Sequence, residues 1–256
     1  MTPHDEYLSV TELQIPSTSR TATLEAEVET LFGKKVLYLL RPGIHERAAA
    51  VLDRKDDTPT IEFRAEDEIE ESTVFHELYH LKLLAEGFPI YNLSFSSAMT
   101  PYEGSLRQVY ETIRAAMQHA HFFPIMRNQG FDPTAKSRSV ITGMKVPQRG
   151  NRARDRGDFH NAADLFATHM AGDQIALAAH IEALRRCGWT FSVEKANQAY
   201  EVVRRLGFDQ PRREADALVA ALNVLFEDQP RAILQRWVAN RQKRSTYSLN
   251  EAELML

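Results

Sequence analysis

The sequence predicts an α+β protein: a small, mostly antiparallel sheet, a helix bearing the pattern HELYH, and a mainly helical C-terminal part. Three observations predict it. Short apolar runs with strand-like alternation lie between Lys34 and Arg64. Helical spacing of apolar residues then takes over in STVFHELYHLKLLAEGFP, Ser72 to Pro89. Beyond residue 158 only helical periodicity recurs, with helix-opening prolines at Pro211 and Pro230. The expected organisation is a core over 1–129, a basic irregular loop over 130–157 and a helical region over 158–256.

Taken in order, Leu24, Val28, Leu31 and Phe32 give one amphipathic helix from Thr21, with Gly33 as its cap. KKVLYLL, AAAVLD and TPTIEFRAE read as three strands joined by turns at RPG and RKDD. Pro59 near the start of the third predicts an edge strand, because proline cannot donate to a ladder. The run EDEIEES then sets five acids, Glu66 to Glu71, at the start of a helix over Ser72 to Glu86, where negative charge caps the helix dipole. Gly87 and Pro89 stop it.

A second helix is expected from Glu103 to Phe123, with Leu106, Tyr110, Ile113 and Met117 on one stripe and Pro124 ending it. From Gly130 to Gly157 nothing is periodic, and Lys136, Arg138, Lys145, Arg149, Arg152, Arg154 and Arg156 make the stretch basic. A solvated loop is expected, with contact to nucleic acid or an acidic peptide as the functional alternative. Helices follow over Phe159 to Arg186, Val193 to Leu206 closed by Gly207, Pro211 to Phe226, and Pro230 to Arg244. Ser248 and Glu251 in SLNE have capping-box spacing.

With 256 residues, 43% hydrophobic and 26% charged, the chain can bury a full core. The net charge of −4 argues against a surface that coats nucleic acid throughout. One cysteine, Cys187, excludes an internal disulfide and a cysteine-only zinc site, which fits a reducing compartment. MTPHDEYLSV has no basic region followed by an apolar run, and no apolar stretch approaches the roughly 18 residues of a membrane span. The expected location is cytoplasmic, without a membrane partner.

The chemistry concentrates in one helix. Residues at i and i+4 share a helix face, so His76 and His80 can offer two imidazole nitrogens to one ion. Glu77, turned by about 100° from His76, lies beside that ion and can hold a water for attack. A zinc ion in such a site lowers the pKa of water to about 7 while the glutamate takes the proton. The chain carries no P-loop, no G-x-S-x-G and no Gly-rich dinucleotide turn to offer another catalytic set.

HELYH following a strand, in an α+β unit entered by an N-terminal helix, resembles the zincin metallopeptidases, and among them the compact gluzincin-like proteins of the ImmA/IrrE type. The resemblance covers about Leu24 to Met126. It implies a zinc-dependent endopeptidase holding one ion, with His76 and His80 as ligands and Glu77 as general base. Members of that type often cleave a transcriptional repressor inside the cell, so it also implies a specific intracellular protein substrate, with a regulatory partner as an added expectation. The alternative is a non-catalytic zincin-like protein that recognises a protein or nucleic acid.

The resemblance places the third ligand on the second helix, which offers Glu103, Glu111, His119 and His121. Glutamate is the gluzincin choice and favours Glu111. Yet Arg107 and Arg114 flank Glu111 at four and three residues, the spacing of a solvated salt-bridge face. His119 has no such salt-bridge alternative in its spacing, and Ala115 and Ala116 one turn back leave room for another helix, so His119 stands ahead of Glu111. His121 reads as a core histidine or a contact near the substrate. A zincin also uses a Tyr or His at the transition state, for which Tyr110 and His160 are the candidates. His160 and Asp164, one turn apart, read first as an ordinary helix pairing.

Overall fold

The computed structural model describes residues 17–42, 47–53, 56–88, 90–95, 103–150, 156–225 and 232–237. The expected helix cap at Ser248 and Glu251 and the basic residues Arg152 and Arg154 lie outside them. These residues form two compact units, one running to Gly87 with Met126–Phe131 added, the other comprising Phe88–Ile125 and the residues from Asp132 onward. The class is α+β with a helical C-terminal part, as expected.

The first unit opens with helix α1, Ser19–Phe32. Leu24, Val28 and Phe32, spaced by four, are buried, and Gly33 ends the helix at φ +60° with its N–H on the carbonyls of Glu29 and Thr30. That left-handed cap is where glycine costs nothing. Strands β1 (Leu37–Arg41), β2 (Ala48–Leu52) and β3 (Pro59–Arg64) follow. Their order is β1-β3-β2, with β1 parallel and β2 antiparallel to β3.

The sheet is therefore mixed, and β3 is its central strand rather than an edge. Proline is tolerated there because pairing with β1 begins only at Thr60, opposite Leu37. Pro59 pairs with Leu52 of β2 at a position that exchanges no hydrogen bond, and its missing N–H faces the β1 side one residue before that ladder starts.

Helix α2, Glu71–Ala85, lies against α1, β2 and β3. Val74, Phe75, Leu78 and Leu81 form its fully buried stripe. The acids before it are pairing groups more than caps. Glu70, the N-cap residue, makes no capping bond with its side chain and instead meets Arg47 at 3.0 Å, while Asp67 meets Arg64 at 2.7 Å. Glu71 accepts hydrogen bonds from the Thr18 backbone and from the hydroxyls of Thr18 and Thr21, beside Arg20. Desolvation opposes its charge, but these donors outweigh it and draw the carboxyl pKa down to about 2. The start of α2 is thereby fastened to the start of α1.

Helix α3, Glu103–Asn128, continues past Pro124. The expected stop fails because Phe122, Phe123 and Met126 continue the buried stripe on both sides of the proline, which compensates for one lost backbone bond. Its end belongs with the first unit. There Phe131 packs 5.1 Å from Phe75 and under the Arg20 guanidinium at 4.2 Å, and Arg20 donates to the Gln129 carbonyl.

The second unit adds α4 (Ala135–Thr142), α5 (Arg156–Ala171), α6 (Gln174–Arg186), α7 (Thr190–Leu206) and α8 (Pro211–Leu225). Strands β4 (Ile90–Phe95) and β5 (Ala232–Trp237) pair antiparallel. Its core includes Phe166, Leu184, Val193, Ala199, Leu218 and Leu222. The helix expected over Phe159 to Arg186 is two helices, because Gly172 adopts φ +70° and Asp173 caps the backbone N–H groups of Ile175 and Ala176. The segment expected as helix from Pro230 holds β5 instead, where Ile233 and Trp237 supply strand-forming residues.

The basic segment is not an irregular solvated loop over its whole length: α4 lies within it, and two of its arginines are fixed. Arg138 binds Asp173 at 2.6 Å and Asp132 at 3.1 Å. Arg149 makes a two-pronged pair with the fully buried Asp158 at 3.0 and 3.1 Å, and Trp189 donates its indole N–H to the Pro147 carbonyl at 2.8 Å.

His180 gives this unit a pH dependence. It is 3% exposed, its Nδ1 is 2.9 Å from the Thr168 hydroxyl, and burial, reinforced by His169, lowers its pKa to about 4. Between about pH 6.5 and 4 the unfolded chain binds a proton that the folded chain refuses, so stability falls as pH drops through that window, by up to about 3 kcal/mol. Thermal melts of the parent and His180→Gln across that range check this: the variant is expected to lose less melting temperature on acidification.

Candidate metal centre

Helix α2 sets His76 and His80 one turn apart on a half-buried face. Their Nε2 atoms are 3.1 Å from each other and their rings 4.9 Å apart at 65°. Two nitrogens at about 2.0–2.1 Å from a tetrahedral ion are separated by about 3.3 Å, so this pair already has near-ligand spacing. The same approach also permits a hydrogen bond between a neutral ring that donates and one that accepts. Although 23% of the His76 side chain is exposed, its ring is crowded by protein, and this desolvation lowers its pKa to about 4. At neutral pH His76 is uncharged, the form that coordinates metals.

One ring nitrogen from each of His76, His80 and His119 lies within 4.8 Å of the other two, a donor set that could hold a metal ion. His119 stacks on Phe123 at 4.7 Å and meets the edge of Phe122 at 5.5 Å. Both phenylalanines are buried and hold the imidazole plane.

Glu77 is 8% exposed. Its Oε2 accepts a hydrogen bond from the Ala50 backbone N–H at 2.9 Å, and its Oε1 is 3.9 Å from His76 Nε2. That amide is free to serve Glu77 because of strand parity. Arg64 N–H to Arg47 C=O and Asp53 N–H to Thr58 C=O bracket the β2–β3 ladder, so the odd-numbered residues of β2 bond to β3. Ala48, Ala50 and Leu52 turn their amides outward. β2, not β3, is the outer strand beside the HELYH helix. Nothing in the residue types at Ala48 to Ala50 signals this role, which depends only on register.

The other sequence candidates are elsewhere. Glu111 forms its salt bridge with Arg114 at 2.9 Å, keeps 48% of its side chain exposed, and lies about 12 Å along α3 from His119. Tyr110 is 1% exposed in the helical core, and nine residues before His119 it lies about 180° round α3 and about 13.5 Å along it. His160 lies on α5, one turn before Asp164, whose carboxyl pKa is raised by desolvation and held back by His160, the ordinary helix pairing. None of the three belongs to the histidine group. His121 is a core histidine: it bonds Glu214 at 2.7 Å between Phe88 at 4.6 Å and Phe208 at 5.1 Å.

The chain matches no family model, no curated protein and no solved structure. No helix of the described residues is long and apolar enough to cross a membrane.

Proposed function

We propose that the chain is a zinc-dependent peptidase that hydrolyses a peptide bond in a specific intracellular protein, and the resemblance of HELYH to the zincins is part of that reading. The observation that carries it is the convergence of His76, His80 and His119 with Glu77 beside them. The donor set fits a divalent cation: three neutral-capable imidazoles, with a carboxylate adjacent rather than among them, is the make-up of a catalytic zinc site that keeps one position open. When bound there, zinc supplies an activated water and polarises the scissile carbonyl.

The residues do the rest. Glu77 Oε1 takes a proton from the attacking water as the water's oxygen adds to the carbonyl carbon, and passes it to the departing nitrogen as the C–N bond breaks. Phe122 and Phe123 hold the His119 imidazole in place. A buried free thiol at Cys187 suits the reducing interior of a cell.

The test is metal removal. Zinc-loaded protein incubated with a cytoplasmic extract, followed by labelling of new N-termini, is expected to yield a small set of cleavage sites. These disappear with a chelator and return when zinc is restored. Identical N-termini with and without metal would favour the non-catalytic alternative, in which the site only holds an ion for recognition of a partner.

A further inference from the structure

We propose that the main-chain amide of Ala50 is a positioning group for Glu77, fixing one carboxylate oxygen so that the other stays turned to the histidine nitrogens. The inference rests on the peptidase reading, since it takes Glu77 to be the base. Its own observations are the 2.9 Å bond from Ala50 N–H to Oε2, the 3.9 Å separation of Oε1 from His76 Nε2, and the parity that frees this amide from the ladder.

A glutamate side chain has three rotatable bonds, and nothing in HELYH selects which oxygen faces the ion. A bond from a neutral amide to an ionised carboxylate is charge-assisted and directional, so it selects one rotamer and one oxygen. Ala50 is held in register by its neighbours: Ala49 and Val51 pair with Glu62 and Thr60, which fixes where the outward amide points. The central strand thus sets the position of this donor through the outer strand. Misplacement of a reacting group by about 1 Å is worth about 100-fold in rate, which is the scale of effect at stake.

Ala50→Pro removes this donor and no ladder bond, at an outer-strand position where proline is accommodated. Ala50→Gly keeps the donor. On a quenched-fluorescent peptide that the zinc-loaded parent hydrolyses, Ala50→Pro is expected to lower kcat by about 10- to 100-fold, with KM within about twofold and zinc content unchanged, while Ala50→Gly stays within about threefold of the parent. Equal kcat in parent and Ala50→Pro would overturn the proposal.

A second readout does not use activity. In 15N-labelled, zinc-loaded protein the Ala50 amide proton is expected to move upfield on Glu77→Gln, as a bond to charge becomes a bond to a neutral amide. An unmoved Ala50 resonance would overturn the proposal even if Ala50→Pro does not fold. A parent that hydrolyses no peptide sinks the peptidase reading and the positioning role with it, whereas an active parent indifferent to Ala50→Pro sinks the positioning role alone.

Discussion

Replacing His119 by alanine is expected to weaken zinc binding by at least about 100-fold, measured by competition with a chromophoric chelator, while Glu111→Ala leaves it within about twofold. Loss of groups that only orient a ligand costs about 10- to 100-fold in affinity, and loss of a direct ligand from a three-residue site exceeds that. Glu111 has its own partner in Arg114 and takes no part in the histidine group. Circular dichroism should show both variants folded, because His119 is half-buried and its Phe122 and Phe123 neighbours remain. The reverse order of affinities would restore the glutamate ligand that the gluzincin resemblance implies.

Glu77→Gln carries the other large effect. It is nearly isosteric and removes the proton acceptor without removing a ligand, so zinc content should stay at one ion per chain while cleavage of the parent's substrate falls by about 100- to 10,000-fold, the usual contribution of a general base. The buried position of Glu77 sharpens the comparison: glutamine can still accept from Ala50 N–H through its amide oxygen, so the fold keeps its α2–β2 tie. A variant as active as the parent would remove Glu77 from the chemistry. A variant that loses its zinc would show that the carboxylate holds the ion.

The elements around the site were legible where local chemistry and tertiary need agree. α1 with its Gly33 cap, the three strands, and α2 with its buried leucines all follow from spacing that the packing then uses. The misreadings share one cause, a local signal weighed without its partner. Pro59 looks like an edge residue until the register with β1 is known, and Pro124 looks like a stop until Phe122 and Met126 are seen buried on either side. The turn between α5 and α6 was readable: Gly172 followed by Asp173 is a glycine stop followed by a capping residue. β4 and β5 form a long-range pair, which local periodicity registers weakly.

At the candidate site, His76, Glu77 and His80 could be singled out from their spacing alone. The preference for His119 over Glu111 came from the arginines flanking Glu111, and the salt bridge with Arg114 is present. Tyr110 belongs to the apolar stripe of α3 that packs in the helical core, a burial its spacing with Ile113 and Met117 already indicates. The Ala50 amide was out of reach, since it depends on which strand lies outermost and on the parity of its hydrogen bonds.

The central claim is that His76, His80 and His119 together hold one divalent ion, and anomalous diffraction from zinc-soaked crystals tests it most directly. A single peak at about 2.0–2.1 Å from one ring nitrogen of each of the three histidines is the expected result. A peak elsewhere, or imidazoles of His76 and His80 turned away from each other with no ion on them, would contradict it.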